Sequence, residues 1–212
     1  MNFLYTLRIL GILLMIFSTA QLFPAAVAYY YDEIGLIKVF FNTLLATFLC
    51  GFLLYITNSS RKEDLRTKDG FIITVLFWTV LAIFGSFPLV FAEELEISYI
   101  DSLFESISGL TTTGATVLTG LDELPRSILF YRQLLQWLGG MGIIVLAVAV
   151  LPLLGIGGMQ LYKAETPGPL KDAKLTPRIK ETAKALWYVY LTMTILCAAF
   201  YKFFGMTTYD AI

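Results

Sequence analysis

Histidine is absent from all 212 residues, which removes the commonest side-chain ligand of transition metals. Cysteine is nearly absent too. Cys50 and Cys197 both lie in apolar stretches, where a thiol behaves as a small core side chain, so neither a disulfide framework nor a thiolate metal site is expected. Charge is sparse at 15% of residues, against a hydrophobic fraction of 58% and a mean hydropathy of +0.75. Those proportions exclude a soluble domain and leave an integral membrane protein, and the helix-length apolar runs described next make it all-α. The net charge is −1, and most basic residues gather at Arg61 to Lys68 and Lys163 to Lys184, a segregation that does not imply nucleic acid as a partner. No Walker-type phosphate loop occurs, so transport driven by this chain's own nucleotide hydrolysis has no sequence support.

What is present is a series of apolar runs of membrane-spanning length. The first, from about Ile9 to Tyr31, has Arg8 before it and Asp32 and Glu33 after it, so it starts inside and ends outside. Pro24 is expected to kink it near the outer interface, where Tyr29, Tyr30 and Tyr31 suit an aromatic belt. Ala26-Val27-Ala28 resembles a signal-peptidase site, and removal of residues 1–28 is the alternative there, with the same topology downstream. A second span, Ile34 to Thr57, returns to the basic run at 61–68, which the positive-inside rule places in the cytoplasm. A third, Phe71 to Ala92, goes out to Glu93, Glu94 and Glu96. The fourth, about Tyr131 to Gly155, comes back in to the lysine-rich segment, and a last span from Ala185 to Phe204 leaves again. In the fourth span Gly139, Gly140 and Gly142 suit close helix packing. Reporter fusions at Ser60 and Asp172 are expected to read cytoplasmic and those at Glu94 and Asp122 external; reversal at any one would undo the re-entrant assignment that follows.

Between the third and fourth spans lies a polar stretch, Ser108-Gly109-Leu110-Thr111-Thr112-Thr113-Gly114-Ala115-Thr116. Ser98 and Asp101 form a capping-box-like start for a short helix ending near Gly109. About twelve residues reach roughly 18 Å, half way through a bilayer core about 30 Å thick, so the helix is expected to be re-entrant. Its carboxyl end then presents the negative pole of its dipole beside Thr111 to Ala115. Polar backbone at membrane depth is tolerated only where protein buries it or where it lines a watery path. Three threonines and a glycine in extended form can line such a path with carbonyl oxygens facing a desolvated cation. Gly109 and Gly114 are expected to supply the backbone freedom for the turn. Glu105, within the short helix and lacking a partner base, is expected to take a hydrogen-bonding structural role rather than an acid's. An ordinary external turn on a non-conducting membrane scaffold is the competing reading.

The chain also echoes itself. Arg66-Thr67-Lys68-Asp69 and Arg178-Ile179-Lys180-Glu181 each precede an outward span, and Asp101-Ser102-Leu103 and Asp210-Ala211-Ile212 each follow one. Shared order at nearly equal spacing indicates a second copy of the helix and pore-helix unit. The second copy is expected to be truncated at Ile212, as in an N-terminal piece of a longer product.

The runs FESISGLTTTGATVLTGLDELP (104–125) and FYRQLLQWLGGMGIIVLAVAVLPLLGIGGMQLYKAETPGPLKD (130–172) closely resemble the TrkH family, the membrane subunits of bacterial Trk potassium uptake systems. The resemblance extends over essentially the whole chain. It implies an inner-membrane, multi-pass protein with its N-terminus in the cytoplasm, built from a leading helix pair and helix, pore-loop, helix repeats around one pore. Residues 1–57 would be the leading pair, 66–158 the first repeat with its filter at 111–115, 159–184 a cytoplasmic loop and 185–212 the start of the second repeat. The family's potassium-coordinating positions fall on Thr112 and Thr113, through backbone carbonyls, with Gly114 as filter glycine and Thr111 adjoining. Potassium is the ion this implies. The implied partners are the lipid bilayer, a cytosolic nucleotide-binding regulatory subunit of TrkA type and, at full length, a second copy of the protein. A sodium-coupled uptake subunit of Ktr type is the nearer alternative within transport.

Overall fold

In the computed structural model, residues 3–58, 67–142 and 179–212 are described; among them every regular element is helical. The order is α1 Phe3–Ala20, α2 Leu22–Tyr30, α3 Ile34–Thr57, α4 Thr67–Val90, α5 Tyr99–Leu110, α6 Arg126–Gly140, α7 Ile179–Phe203 and α8 Thr208–Ala211. Single 3-10 turns at Glu93–Leu95 and Leu121–Glu123 precede α5 and α6. Among the described residues four stretches are long and apolar enough to cross a membrane: Leu4–Tyr30, Ile34–Thr57, Ile72–Val90 and Lys184–Phe203. Residues 59–66, with most of the first basic run, and 143–178, including Gly155 and Lys163, lie outside the described residues.

The first span is broken where the sequence suggested only a kink. Pro24 has no N–H to give the Ala20 carbonyl, so the regular helix stops at Ala20 and resumes at Leu22, which puts Pro24 in a first turn where no N–H is needed. Gln21 occupies the break, buried, and its Oε1 accepts a hydrogen bond of 2.7 Å from the Thr43 hydroxyl of α3. α6 also differs from expectation. It begins at Arg126, five residues before Tyr131, because Pro125 starts it and a carboxylate caps it. Glu33, between α2 and α3, accepts from the Arg126 N–H at 2.7 Å, from the Ser127 N–H at 3.1 Å and from the Ser127 hydroxyl. A negative group at this end satisfies orphan donors and opposes the helix dipole. At its other end α6 stops at Gly140, where the Met141 N–H turns back to the Trp137 and Gly139 carbonyls.

The core forms where α1, α3, α4 and α6 meet, around Leu14, Leu36, Phe40, Ile73, Leu89, Ile128, Tyr131 and Leu135. Tyr131 donates its hydroxyl proton to the Gly85 carbonyl at 2.7 Å, tying α6 to α4. α7 buries none of residues 184–203 and touches the rest mainly through Tyr190, whose hydroxyl donates to the Trp137 carbonyl, and Thr194, which accepts from the Trp137 indole at 3.1 Å.

The acidic turns all collect at one end. Beside Glu33, Arg126 pairs with Asp210 at 3.6 Å, and Tyr209 donates to the Arg126 carbonyl at 2.5 Å and meets the Tyr31 ring edge-on. Burial, against the opposing pull of Arg126, pushes the Tyr209 hydroxyl up to about 12, so it remains a donor throughout the physiological range. At the opposite end Arg8 lies over the Tyr55 ring and donates to its hydroxyl.

The internal echo has a structural counterpart. Ser98 and Thr207 sit at φ −70°, ψ 161° and φ −62°, ψ 158°; each accepts from the N–H three residues on at 3.2 Å and donates to that residue's carboxylate, Asp101 or Asp210. Two residues before each cap the chain turns through positive φ, at Glu96 and Gly205. Two entrances to a short helix are thus built alike.

Candidate functional site

α5 is amphipathic in the reverse of the usual sense. Its polar residues Ser102, Glu105, Ser106 and Ser108 are buried, whereas Ile100, Phe104 and Ile107 are exposed. In water that arrangement would be unfavourable. It suits a helix lowered into an apolar medium with its polar side turned to protein.

The polar side holds the segment that follows. Past Leu110 the chain reverses, and its N–H groups return to the carboxyl end of α5: Thr111 to Ile107 at 2.8 Å, Thr112 to Gly109 at 2.9 Å, Thr113 to Ser108 at 2.9 Å and Gly114 to Ser108 at 3.4 Å. The Ser108 hydroxyl donates to the Ala115 carbonyl at 2.6 Å. Thr111 donates to the Ile107 carbonyl, and the Thr111 and Thr113 hydroxyls lie 2.8 Å apart. Among the described residues no hydrogen bond reaches the carbonyls of Thr111, Thr112, Thr113 or Gly114. Residues 111–117 are exposed.

Backbone conformation here is unusual. φ is −82° at Thr111, +56° at Thr112 and +73° at Gly114. Glycine takes the left-handed region freely, but a β-branched residue does not, so Thr112 carries strain of about 1–3 kcal/mol. Nothing in the residue pattern announces it. Gly109 corrects the expectation of a flexible joint: it is an ordinary helical residue, and a Cβ there would lie 3.0 Å from the Leu135 Cβ of α6, so its role is close packing.

A brace stands behind the strand. Glu105 is 4% exposed; one oxygen accepts from the Thr116 hydroxyl at 2.5 Å and the Val117 N–H at 2.7 Å, and the other accepts from Arg132 Nε on α6 at 2.9 Å. Hydrogen bonding is the role the sequence suggested for Glu105. Arg132 was missed, though a lone arginine in an apolar helix is a signal for a buried carboxylate partner. α6 can stand this close because Gly139 faces the end of α5, where a Cβ would fall 2.1 Å from the Leu110 carbonyl oxygen. Gly140 packs likewise, against the Tyr190 hydroxyl.

Thr111, Thr112, Thr113 and Gly114 therefore form one continuous surface, anchored by its N–H groups, with carbonyl oxygens left over. No group of three or more potential metal-ligating side chains occurs among the described residues, so any cation held here would meet backbone and hydroxyl oxygens.

Comparison with known proteins agrees on one family. The family model described as TrkH, cation transport protein, matches residues 36–212. The Trk system potassium uptake protein TrkH of Vibrio parahaemolyticus is 58% identical over 212 residues, covering 100% of this chain and 44% of the relative. The TrkG protein of Escherichia coli K12, also named a Trk system potassium uptake protein, is 48% identical, covering 95% of this chain and 41% of the relative. The crystal structure of the potassium transporter TrkH from Vibrio parahaemolyticus superposes with a TM-score of 0.81 at 52% identity, over 100% of this chain and 42% of that one. The chain spans less than half the length of the curated relatives it matches.

Proposed function

The chain belongs to the TrkH family of cation transport proteins, and on that premise we propose that it forms part of the membrane subunit of a Trk-type potassium uptake system, with residues 111–115 as one strand of the selectivity filter. The family is one of transporters rather than enzymes. The observation that carries the filter assignment is the division of labour in the backbone: the N–H groups of 111–114 are spent on α5, and the carbonyls are not. Such carbonyls can replace the hydration shell of potassium. Thr112 and Thr113 supply the coordinating oxygens, Thr111 adjoins them, and Gly114 permits the turn of hand. Electrodiffusion suffices as a driving force, since about 2.3 kcal/mol per charge per 100 mV gives roughly fortyfold accumulation.

In this reading residues 1–57 are the leading pair, 66–158 the first repeat, 159–184 a cytoplasmic loop and 185–212 the start of a second repeat. The N-terminus faces the cytoplasm of a bacterial inner membrane. The basic segment 163–184 faces a cytosolic nucleotide-binding subunit of TrkA type, and two copies of the full-length protein pair in the bilayer.

The test uses Thr113→Cys, with Cys50 and Cys197 replaced by alanine, in the protein expressed from its whole gene. An impermeant thiol reagent added outside is expected to react slowly at 113, and more slowly in potassium than in equal sodium. Thr119→Cys should react freely. Fast modification at 113, indifferent to potassium, would make the segment a surface turn.

A further inference from the structure

We propose that the Glu105–Arg132 pair is a specificity-determining positioning device, which acts on ion choice through the strand it holds rather than by touching the ion; the proposal rests on the filter assignment above. Residues 111–117 are fixed at two levels of α5. Ser108 holds the upper part, through the N–H groups of Thr113 and Gly114 and the carbonyl of Ala115. Glu105, one turn earlier, holds the strand where it leaves, at the Thr116 hydroxyl and the Val117 N–H. With one anchor the strand could pivot about Ala115; with two, the carbonyls at 112–114 keep a fixed distance from the path.

The lower anchor is of a particular kind. Its acceptor is a carboxylate, and hydrogen bonds to an ionised group are roughly twice as strong as neutral ones. A buried carboxylate stays ionised only if a positive partner offsets its desolvation. Arg132 is that partner, 9% exposed and 2.9 Å away, and it comes from α6 rather than from α5 or the strand. Among the described residues the hydrogen bond and ion pair of Arg132 go to Glu105 and not to residues 111–117, so it acts on them by way of Glu105. Mere neutralisation of two awkward charges needs no such chain of contacts, and this difference makes the proposal testable.

The measurement is the ratio of potassium to sodium uptake, with membrane abundance scored in parallel, in the protein expressed from its whole gene in cells without other potassium uptake. Single changes at either residue leave a buried charge unpaired and can lower abundance. The informative variant is therefore the double neutral, Glu105→Gln with Arg132→Gln, which retains an acceptor for Thr116 and Val117 and leaves no unpaired charge. Its abundance should be near normal and its uptake ratio lower by about fivefold, the loss expected when charge-assisted hydrogen bonds become neutral ones. Thr116→Val, which removes a hydroxyl that bonds Glu105 and not Arg132, should lower the ratio alone and lower it by clearly less in the double-neutral background, where its bond to residue 105 is already the weaker neutral kind; what persists there reflects the Leu118 N–H that the same hydroxyl accepts. A double neutral with normal abundance and an unchanged ratio overturns the proposal, as does full additivity with Thr116→Val. If instead Gly114→Ser also leaves the ratio unchanged, the filter assignment itself has failed.

Discussion

Gly114→Ser in the full-length protein is expected to lower the preference for potassium over sodium by roughly five- to thirtyfold, at near-normal membrane abundance. The magnitude follows from the backbone alone. At φ +73° a residue with a Cβ pays about 1–2 kcal/mol, whereas nothing lies within 4 Å of that Cβ to clash with it. The strand escapes the penalty by rotating out of the left-handed region, which turns a neighbouring carbonyl away from the path. Gly114→Asn should be milder, since asparagine tolerates the left-handed region better. The proper comparison is Gly120→Ser: φ is +63° there, with only the Glu123 carboxylate at 3.8 Å, so it carries a similar backbone cost off the filter and should leave ion preference untouched. Equal effects at 114 and 120, read as uptake of both ions, would mean that the loss reflects general destabilisation.

Gly139→Ala should do the largest damage to the fold. The new methyl would lie 2.1 Å from the Leu110 carbonyl oxygen and 2.7 Å from its carbon, and both are backbone atoms at the end of α5 that cannot swing aside. Overpacking of this kind costs about 1–3 kcal/mol, enough to reduce abundance severalfold. The protein that does insert must shift Leu110, and with it the hydrogen bonds of Thr111 and Thr112, so its ion preference should fall as well. Gly140→Ala meets the Tyr190 hydroxyl and ring instead, a side chain with some freedom to move, and should be tolerated better. Immunoblotting of membranes alongside uptake reads both quantities. Normal abundance and normal preference for Gly139→Ala would contradict the contact between α6 and α5.

Much of this arrangement was legible in the sequence, and the pattern of success has a physical basis. Ile34–Thr57 was bounded to the residue, because a bilayer fixes span length and charged flanks mark both ends. Ser98 and Asp101 announced α5 by a local hydrogen bond that needs no tertiary context. The break at Gln21 was less legible: proline signals a missing donor, but which carbonyl is released and what fills the gap depend on Thr43 from another helix. Thr112 was illegible as a strained residue, since β-branching argues against positive φ and only the anchoring of Thr113 and Gly114 to Ser108 imposes it. Arg132 and Glu105 lie twenty-seven positions apart, and nothing in their spacing reveals that they meet.

That meeting bears on how the chain enters the membrane. A lone carboxylate or guanidinium at mid-bilayer depth costs about 2.5–3.5 kcal/mol on insertion scales. α5 bears one and α6 the other, and α5, at twelve residues, is too short to cross a bilayer by itself. Held separately, each would resist leaving the aqueous side of the insertion machinery; folded together, they conceal their charges from lipid in one step. Insertion of the hairpin from Tyr99 to Gly140 as one unit, against α4 and α2, would therefore avoid exposing either charge to lipid. Residues 111–117 would then enter already tied to the helix that supports them.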